Sequence, residues 1–276
     1  MGATTDPAGA HAGHAAGRAG ARAGVTAAAG AHGDPADVHA GLVALLWDRR
    51  VTPRRGPRPG LSLEAIAQAG IDIADADGLA AVTMQRVAAA LGVTKMALYR
   101  YVPGKAELVA LMTDLGIGEA PRFSDEAEDW RRRLDRWARQ MFTRFWRHPW
   151  ALETTVGARP LGPNELGWME EAVAALAGTG LDGGEMLDVA ATLAGHVRVI
   201  VQQRAALADG RPEQAMEAAI ASLLRGRQER FPALSAARSS AAEHRSQDKA
   251  LGFGLARILD GVGLLIADRA TGSRRA

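Results

Sequence analysis

Apolar residues recur at helical spacing through most of the chain, and this periodicity limits the possible folds more than any other feature of the sequence. From Leu61 onward, Gly and Pro residues divide the pattern into separate segments. No segment alternates apolar and polar residues with a period of two, which is the pattern of a half-buried strand. The sequence therefore predicts an all-α fold.

The segment boundaries predict individual helices. Ser62 is placed to cap a first helix and Gly78 to end it in a left-handed conformation. Thr83 is placed to cap a short second helix, Gly92 breaks it, and Pro103-Gly104 stops a third helix that begins at Thr94. A longer helix follows from Lys105 to Leu115. Further helices are expected over residues 125–147, 150–156, 163–177, 184–208, 212–229 and 249–268, with a flexible loop at 231–248.

The first 58 residues differ from the rest of the chain in composition and in their lack of helical periodicity. Residues 1–40 are mostly Ala, Gly and His without periodicity, so burying them cannot offset the entropy lost on ordering. Five Pro and Gly residues between 53 and 60 interrupt a run of arginines. We therefore expect residues 1–58 to form a disordered tail followed by a basic arm.

Composition excludes several classes of protein. The chain has no cysteine, hence no disulfide framework, thiolate metal site or cysteine nucleophile. No stretch of about twenty apolar residues is evident, and the run Leu42–Trp47 is too short to cross a bilayer. The Ala/Gly run near the N-terminus lacks the Leu, Val and Phe density of a signal peptide. We expect a soluble, cytoplasmic protein without membrane contact.

Charge is distributed unevenly along the chain. The net charge is only +2, but residues 49–105 carry nine Lys or Arg against four Asp or Glu. Such a surplus suits a module that meets a polyanion, although it is also compatible with a solvated face.

Two short helices joined by a Gly-centred turn, Thr83–Leu91 and Thr94–Val102, have the dimensions of a helix-turn-helix. In that motif the second helix enters the major groove, where each base pair presents a distinct pattern of donors and acceptors. Helical pairs of this kind also occur in bundles that bind no DNA, so spacing alone leaves the function open.

The run from Gly78 to Lys105 resembles the DNA-binding domain of the tetracycline-repressor (TetR) family of transcriptional regulators. It combines a Gly-x₃-Val-Thr entry, a Leu-Gly-Val turn, a Leu-Tyr-Arg-Tyr-Val exit and a Lys at the start of the fourth helix. The resemblance implies a three-helix DNA-binding domain at residues 59–105 and a larger helical ligand-binding and dimerisation domain at 106–276. It also implies a homodimer bound to double-stranded, palindromic operator DNA, more often as a repressor.

The resemblance assigns roles to individual residues of this segment. Phosphate contacts set the register of a protein on DNA, and base contacts set the sequence that it reads. Phosphate contacts are expected from Thr83, Gln85, Tyr99, Tyr101 and Lys105, and base contacts from Lys95, Met96, Ala97 and Arg100, with Thr94 at the helix start. Met96 and Ala97 offer few hydrogen bonds, so the operator sequence does not follow from these residues.

The arginines before the first helix have two interpretations. Arg54, Arg55 and Arg58 stand where arms of similar regulators reach into the minor groove, attracted by its negative potential. The alternative is a solvated linker.

The resemblance continues more weakly past Leu115, through the segments Asp129–Trp137, Arg147–Trp150 and Leu251–Ile266. In the family, the equivalents of helices 184–208 and 249–268 pair with those of a second copy as a four-helix bundle. The last helix is apolar around much of its girth. The dimer residues expected on it are Phe253, Leu255, Ile258, Leu259, Val262 and Leu265.

Aromatic residues are concentrated between Trp130 and Met169, which suggests a pocket for a small apolar or aromatic effector, or a plain hydrophobic core. Trp130 and Trp137 are favoured as core. His148 has a second interpretation as a helix cap or surface group, and His196 as a group in the dimer interface. The expected ligand-binding residues are Trp146, His148, Trp150, Trp168, Met169, His196 and Gln203.

The family mechanism implies that an effector binds one conformation better and thereby releases the protein from DNA. The tetracycline repressor binds a magnesium chelate of its drug through histidines that have no clear match in this sequence, so we expect no metal and no other cofactor. An enzyme is disfavoured because no metal-ligand spacing, phosphate loop or Ser/His/Asp set is recognisable. A DNA-binding regulator that lacks a small-molecule sensor, controlled by a protein partner or constitutive, remains an alternative.

Overall fold

A computed structural model describes residues 35–48, 61–122, 129–157, 159–205, 212–244 and 250–272. Within those ranges the protein is entirely helical, which confirms the expected all-α fold. The helices are α1 (Pro35–Trp47), α2 (Leu63–Asp77), α3 (Met84–Ala90), α4 (Lys95–Tyr99), α5 (Lys105–Ile117), α6 (Trp130–Arg147), α7 (Ala151–Thr154), α8 (Pro163–Leu176), α9 (Gly183–Ala205), α10 (Pro212–Leu224), α11 (Pro232–His244) and α12 (Ala250–Gly272). Short 3₁₀ helices span Leu79–Ala81 and Gln228–Arg230.

The N-terminal helices form a compact head. Helix α2 starts and ends where the sequence predicts. The hydroxyl of Ser62 accepts a hydrogen bond from the backbone N–H of Ala65, and Gly78, which follows the last residue of the helix, has a φ of 82°. Helix α2 packs against α5 along its length, α3 packs beside α2, and α4 packs against α3. Ile66, Val87 and Leu98 are completely buried between these helices.

The larger part of the chain is a bundle of α6, α8, α9 and α12. Its core is apolar and includes Leu134, Leu193, Val197 and Leu255, none of which is exposed to solvent. Helix α5 contacts both parts, because it also packs against α7 and α8. This arrangement makes α5 the main connection between head and bundle.

Helix α1 corrects the expectation that residues 1–58 are disordered. Part of that segment forms a helix that packs against α5 and buries Leu46, which is 1% exposed. The signal is present in the sequence, since Leu42, Leu45 and Leu46 lie at i, i+3 and i+4 and form one apolar stripe. The indole N–H of Trp47 donates to the carbonyl of Leu161 at 3.0 Å. Residues 1–34 and 49–60 lie outside the described residues.

Helix α11 corrects the loop expected at residues 231–248. Residues 232–244 form a helix that begins with Pro232 at its first position, where proline is well tolerated. Most of its described side chains are exposed. The segment therefore lacks an apolar stripe, and its alanine content supports a helix by propensity instead.

Helix α12 also departs from the sequence analysis. Within the described residues, Ala250–Thr271 is long and apolar enough to span a membrane, and an 18-residue window of it has a mean hydropathy of 1.7. In this fold it lies against α6 and α9 and buries Leu255, Leu259 and Val262. The helix therefore contributes to the core of the bundle.

Candidate functional site

The turn between α3 and α4 is held by backbone hydrogen bonds and two threonine caps. Gly92 has a φ of 66°, a left-handed conformation that favours glycine, and the N–H of Val93 donates to the carbonyl of Ala88 at 3.0 Å. The hydroxyls of Thr83 and Thr94 accept hydrogen bonds from the backbone N–H groups of Arg86 and Ala97. The cap predicted at Thr83 is confirmed, Thr94 caps α4 in the same way, and the two helices are fixed relative to each other.

The inner and outer faces of α3 and α4 differ sharply. Leu98 is fully buried, whereas Met96, two residues before it in α4, is 74% exposed. Every residue expected to contact DNA between positions 83 and 105 is exposed except the half-buried Ala97. The exposed members are Thr83, Gln85, Thr94, Lys95, Met96, Tyr99, Arg100, Tyr101 and Lys105. These side chains lie on α3 or α4, beside their ends or at the start of α5, and all of them are accessible to solvent.

The electrostatics of this surface favour an anion. Residues 78–106 contain two Lys and two Arg and no Asp or Glu. Arg86 is paired with Asp77 at the end of α2, whereas the ammonium of Lys95 lies 5.5 Å from the centre of the Tyr99 ring. Lys95, Arg100 and Lys105 are therefore available to phosphates and base edges. The arm residues Arg54, Arg55 and Arg58 lie outside the described residues.

A cavity of about 550 Å³ lies inside the C-terminal bundle. Helices α5, α6, α8 and α9 and the segment after α7 supply its walls, which are mostly apolar. The apolar lining consists of Ile117, Trp137, Met141, Phe145, Leu161, Trp168, Met169, Leu187, Ala190, Ala191 and Ala194. Its size and lining are those of sites that hold small apolar molecules.

Five charged side chains and Thr155 interrupt the apolar wall. The guanidinium of Arg159 forms a two-pronged ion pair with Glu165 at the start of α8. Arg198 donates to the carbonyl of Leu152 at 2.8 Å and to the hydroxyl of Thr155. The remaining charged groups are Arg144 and Asp188.

Two of the residues expected to bind a ligand, Trp168 and Met169, line this cavity. Trp137, which the sequence favours as a core residue, is buried and also lines the cavity. Its indole N–H donates to the carbonyl of Trp168 at 2.8 Å. Trp146 and Gln203 are exposed and do not line it, and Trp146 stacks on Phe142 instead. Trp146 and Gln203 do not line the cavity because only one face of α6 and of α9 points inward.

His148 and Trp150 have a structural position outside the cavity. The backbone N–H of His148 caps α6, and its Nδ1 lies 2.8 Å from a carboxylate oxygen of Asp75 on α2. The indole N–H of Trp150 donates to the same carboxylate at 2.7 Å. A carboxylate only accepts, so Nδ1 of His148 carries the proton. These contacts connect the head to the bundle.

His196 lies between α9 and α12 of the same chain and does not line the cavity. Its Nε2 is 3.2 Å from the carbonyl of Leu251, so that nitrogen is the donor. The ring lies so close to Gly254 that a Cβ there would overlap it. His196 is therefore a packing residue of the α9–α12 contact.

The expected dimer residues on α12 divide into two groups. Leu255, Leu259 and Val262 are at most 8% exposed inside a single chain, so they cannot form the main contact with a second copy. Ile258 and Leu265 are half-buried, and Phe253 is 67% exposed. The sequence pattern missed the outward-facing residue Leu264, which is 70% exposed.

Sequence reasoning also missed the charged residues of the cavity. Helical spacing carries the signal in retrospect. Arg144 lies seven positions after Trp137, and Arg198 lies four after Ala194, so each shares a face with apolar lining residues. The signal was weak because charged residues at such positions are usually solvated.

Comparison with known proteins agrees with this geometry. Residues 66–112 match the family model described as bacterial regulatory proteins, tetR family, and residues 121–265 match the tetracyclin repressor-like C-terminal domain. The chain belongs to the TetR family. Members of this family are transcriptional regulators that bind DNA and small-molecule ligands and are typically dimers.

Individual relatives of this TetR-family chain span most of its length. The HTH-type transcriptional repressor DrrR1 of Streptomyces coeruleorubidus is 35% identical, over 83% of this chain and 87% of that protein. An HTH-type transcriptional regulator of Saccharopolyspora erythraea is 28% identical, over 71% and 82% of the two chains. The solved structure of ActR from Streptomyces coelicolor in complex with actinorhodin is 25% identical, with a TM-score of 0.60 over 74% of this chain and 96% of that one.

Proposed function

We propose that this protein is a homodimeric repressor that binds a palindromic operator and leaves it when a small apolar or aromatic effector fills the cavity. The observation that carries the proposal is the position of α5, which packs on the DNA-binding head at one end and lines the cavity with Ile117 at the other. The relative named as a repressor and the ligand-bound ActR structure support the two halves of this function.

The DNA-binding half rests on the outer face of α3 and α4. Lys95, Met96 and Arg100 are exposed at the level where a recognition helix meets base edges, and Thr83, Tyr99 and Lys105 flank them. We assign base contacts to the first group and phosphate contacts to the second, together with Gln85 and Tyr101. Residues 59–105 then form the DNA-binding domain and residues 106–276 the ligand-binding and dimerisation domain.

The release mechanism follows from contacts around the end of α5. Gly118, which ends α5, accepts a hydrogen bond from the indole N–H of Trp168 at 2.9 Å, and both Ile117 and Trp168 line the cavity. An effector that moves these residues moves α5 and, through α5, the packed α2. Since an effector can shift the equilibrium only by its differential affinity, the liganded form must disfavour the spacing of the two heads that DNA requires.

The dimer is assigned to the exposed faces of α9 and α12. Val199, Phe253 and Leu264 are 49%, 67% and 70% exposed, so these faces present apolar side chains to solvent. A Cβ at Gly195 or Gly261 would meet no described atom within 4 Å beyond its own helix backbone, which leaves room for the close approach of another helix. A two-fold axis through this surface presents two copies of α4 to successive major grooves. Such a regulator acts in the cytoplasm, where its DNA target lies.

The experiment that tests the proposal has two steps. Duplexes that the protein binds are first selected from a random library, and their affinity is measured by fluorescence anisotropy. A thermal-shift screen of small aromatic compounds then finds stabilising ligands, which are added to the complex. Release of the selected duplex supports the proposal. Stabilising ligands that leave DNA binding unchanged, or no stabilising ligand together with intact DNA binding, would instead favour a regulator without a small-molecule sensor.

A further inference from the structure

The cavity of this TetR-family chain contains more cationic than anionic groups that are free to meet a ligand. Of its two carboxylates, Glu165 is occupied by Arg159 and Asp188 is exposed to solvent. Three guanidinium groups, those of Arg144, Arg159 and Arg198, share the same walls. The ion pair with Glu165 neutralises only one of them.

Arg198 is the clearest case of an uncompensated cation. Its hydrogen-bond partners are the hydroxyl of Thr155 and the carbonyl of Leu152, and its guanidinium lies 5.5 Å from the centre of the Phe145 ring. All three partners are neutral. Burial of the guanidinium lowers the pKa of Arg198, and the nearby charge of Arg159 lowers it further, although an arginine stays protonated in proteins.

Two further cationic groups extend this pattern. The Nε of Arg159 is buried and has no hydrogen-bond partner among the described residues, although its other nitrogens bind Glu165. The guanidinium of Arg144 packs beside Gly118 without an ion pair to any carboxylate that the structure describes. Donors and charges that are removed from water normally have a hydrogen-bond acceptor or a counter-charge. The cavity therefore lacks an acceptor for these guanidinium groups.

We propose that the effector is an aromatic anion whose acidic group, a carboxylate or an ionised phenol, binds Arg198 and Arg144 while its rings lie against Trp137, Phe145 and Trp168. The inference rests on the proposed function, because it specifies the ligand class of the same cavity. An anion supplies acceptors to the arginine donors, and the apolar wall accepts the rings. A cationic or neutral molecule of the same shape leaves the arginines uncompensated.

A matched pair of fluorescent probes tests this inference. Anilinonaphthalene sulfonate and phenylnaphthylamine share the same aromatic frame, but only the first carries a negative charge. Both are titrated into the full-length protein at fixed ionic strength. We expect the anionic probe to bind at least about tenfold more tightly, which is the effect of one partly buried charge-assisted contact.

Substitutions separate the cavity from other apolar surfaces. Arg198→Met and Arg144→Met keep a long apolar side chain and remove the charge. Each is expected to weaken the anionic probe about tenfold and the neutral probe by less than about threefold. Arg132→Met, which removes a 79% exposed guanidinium from α6, serves as the control and leaves both probes unchanged. If Arg198→Met fails to fold, as judged by circular dichroism, Arg144→Met carries the test.

The possible results distinguish the inference from the proposed function. Equal binding of the two probes, unaffected by either cavity substitution, would overturn the anionic ligand class and leave a sensor for neutral compounds in place. Failure of both probes to bind would overturn the sensor itself, and the inference with it.

Discussion

The carboxylate of Asp114 shows how a single buried group positions a wall of the cavity. It lies in α5, is completely buried, and accepts hydrogen bonds from the backbone N–H groups of Asn164 at 2.9 Å and Glu165 at 3.3 Å. It thereby caps α8, whose N-terminus favours a negative charge. The side chain of Asn164 donates back to the carbonyl of Asp114 at 2.9 Å. One residue of α5 therefore fixes the start of the helix that carries Glu165.

Replacement of Asp114 by alanine is expected to lower the free energy of unfolding by about 2–3 kcal/mol, because the two capped N–H groups lose a charged acceptor in a buried site. Urea denaturation at fixed protein concentration measures the effect. Asp72→Ala is the control, since Asp72 is exposed on α2 and, among the described residues, accepts only from the side chain of Gln68. Equal denaturation midpoints for the two variants would show that the cap contributes no stability.

Much of the helix-turn-helix geometry could be predicted from single residues, and much of the cavity lining could not. The caps Thr83 and Thr94 and the turn at Gly92 are local features, decided by a few neighbouring residues. The cavity depends on which faces of α6, α8 and α9 meet. Residue type alone therefore favoured Trp146 and His196, whereas the fold places Arg144 and Arg198 at the cavity.

At the level of elements, several contacts join the head to the bundle, and two of them involve α2. Helix α5 packs along α2 and ends at the cavity. The second contact is the carboxylate of Asp75 on α2, which accepts from His148 and Trp150 at the junction of α6 and α7. A movement of α6 and α7 on ligand binding would therefore be transmitted directly to α2.

Asp75→Ala removes the shared acceptor of this junction. We expect the factor by which an effector weakens operator binding to fall, because the two parts of the protein are less tightly coupled. The factor is the ratio of effector affinities for the free and the operator-bound protein. Asp77→Ala is the matched control, since Asp77 lies on the same helix and, within the part of the chain that the structure describes, pairs only with Arg86. A coupling factor that Asp75→Ala leaves unchanged would place the coupling elsewhere, with α5 as the remaining route.

The contact between α9 and α12 depends on glycine at position 254. An alanine there would overlap the ring of His196, so Gly254→Ala is expected to cost about 1–3 kcal/mol of stability through overpacking. The double variant His196→Ala/Gly254→Ala is expected to recover part of that loss, because the clash is absent. Thermal unfolding of the single and double variants measures the interaction. Additive losses would mean that the ring does not limit the approach of the helices.

The wrong sequence predictions concern whole helices or helix faces. Helix α1 was missed because its apolar stripe is short and follows a long segment of low complexity. Helix α11 was missed because it has no apolar stripe, and periodicity was the main criterion for a helix. The inner face of α12 was assigned to a dimer because a pattern that is apolar all round does not say which side meets its own chain.

At the scale of the whole molecule, the account requires two copies. Leu264 is 70% exposed in the single chain, on the same outer face as Phe253. Leu264→Glu places a charge in the proposed interface and is expected to convert the dimer into a monomer in sedimentation velocity. Met96→Glu is the matched control, because Met96 is 74% exposed on α4 and far from that interface in the chain. A dimer that persists in Leu264→Glu would exclude this face of α12.

The whole proposal depends on α4 as the helix that reads DNA. The double variant Lys95→Ala/Arg100→Ala tests this directly. Its affinity for a selected duplex is measured by fluorescence anisotropy, with a scrambled duplex for comparison. Both side chains are exposed and neither supports the core, so the variant is expected to fold and dimerise normally. The account predicts a loss of at least about a hundredfold in affinity for the selected duplex, and little remaining preference over the scrambled one. Unchanged affinity and preference would contradict it.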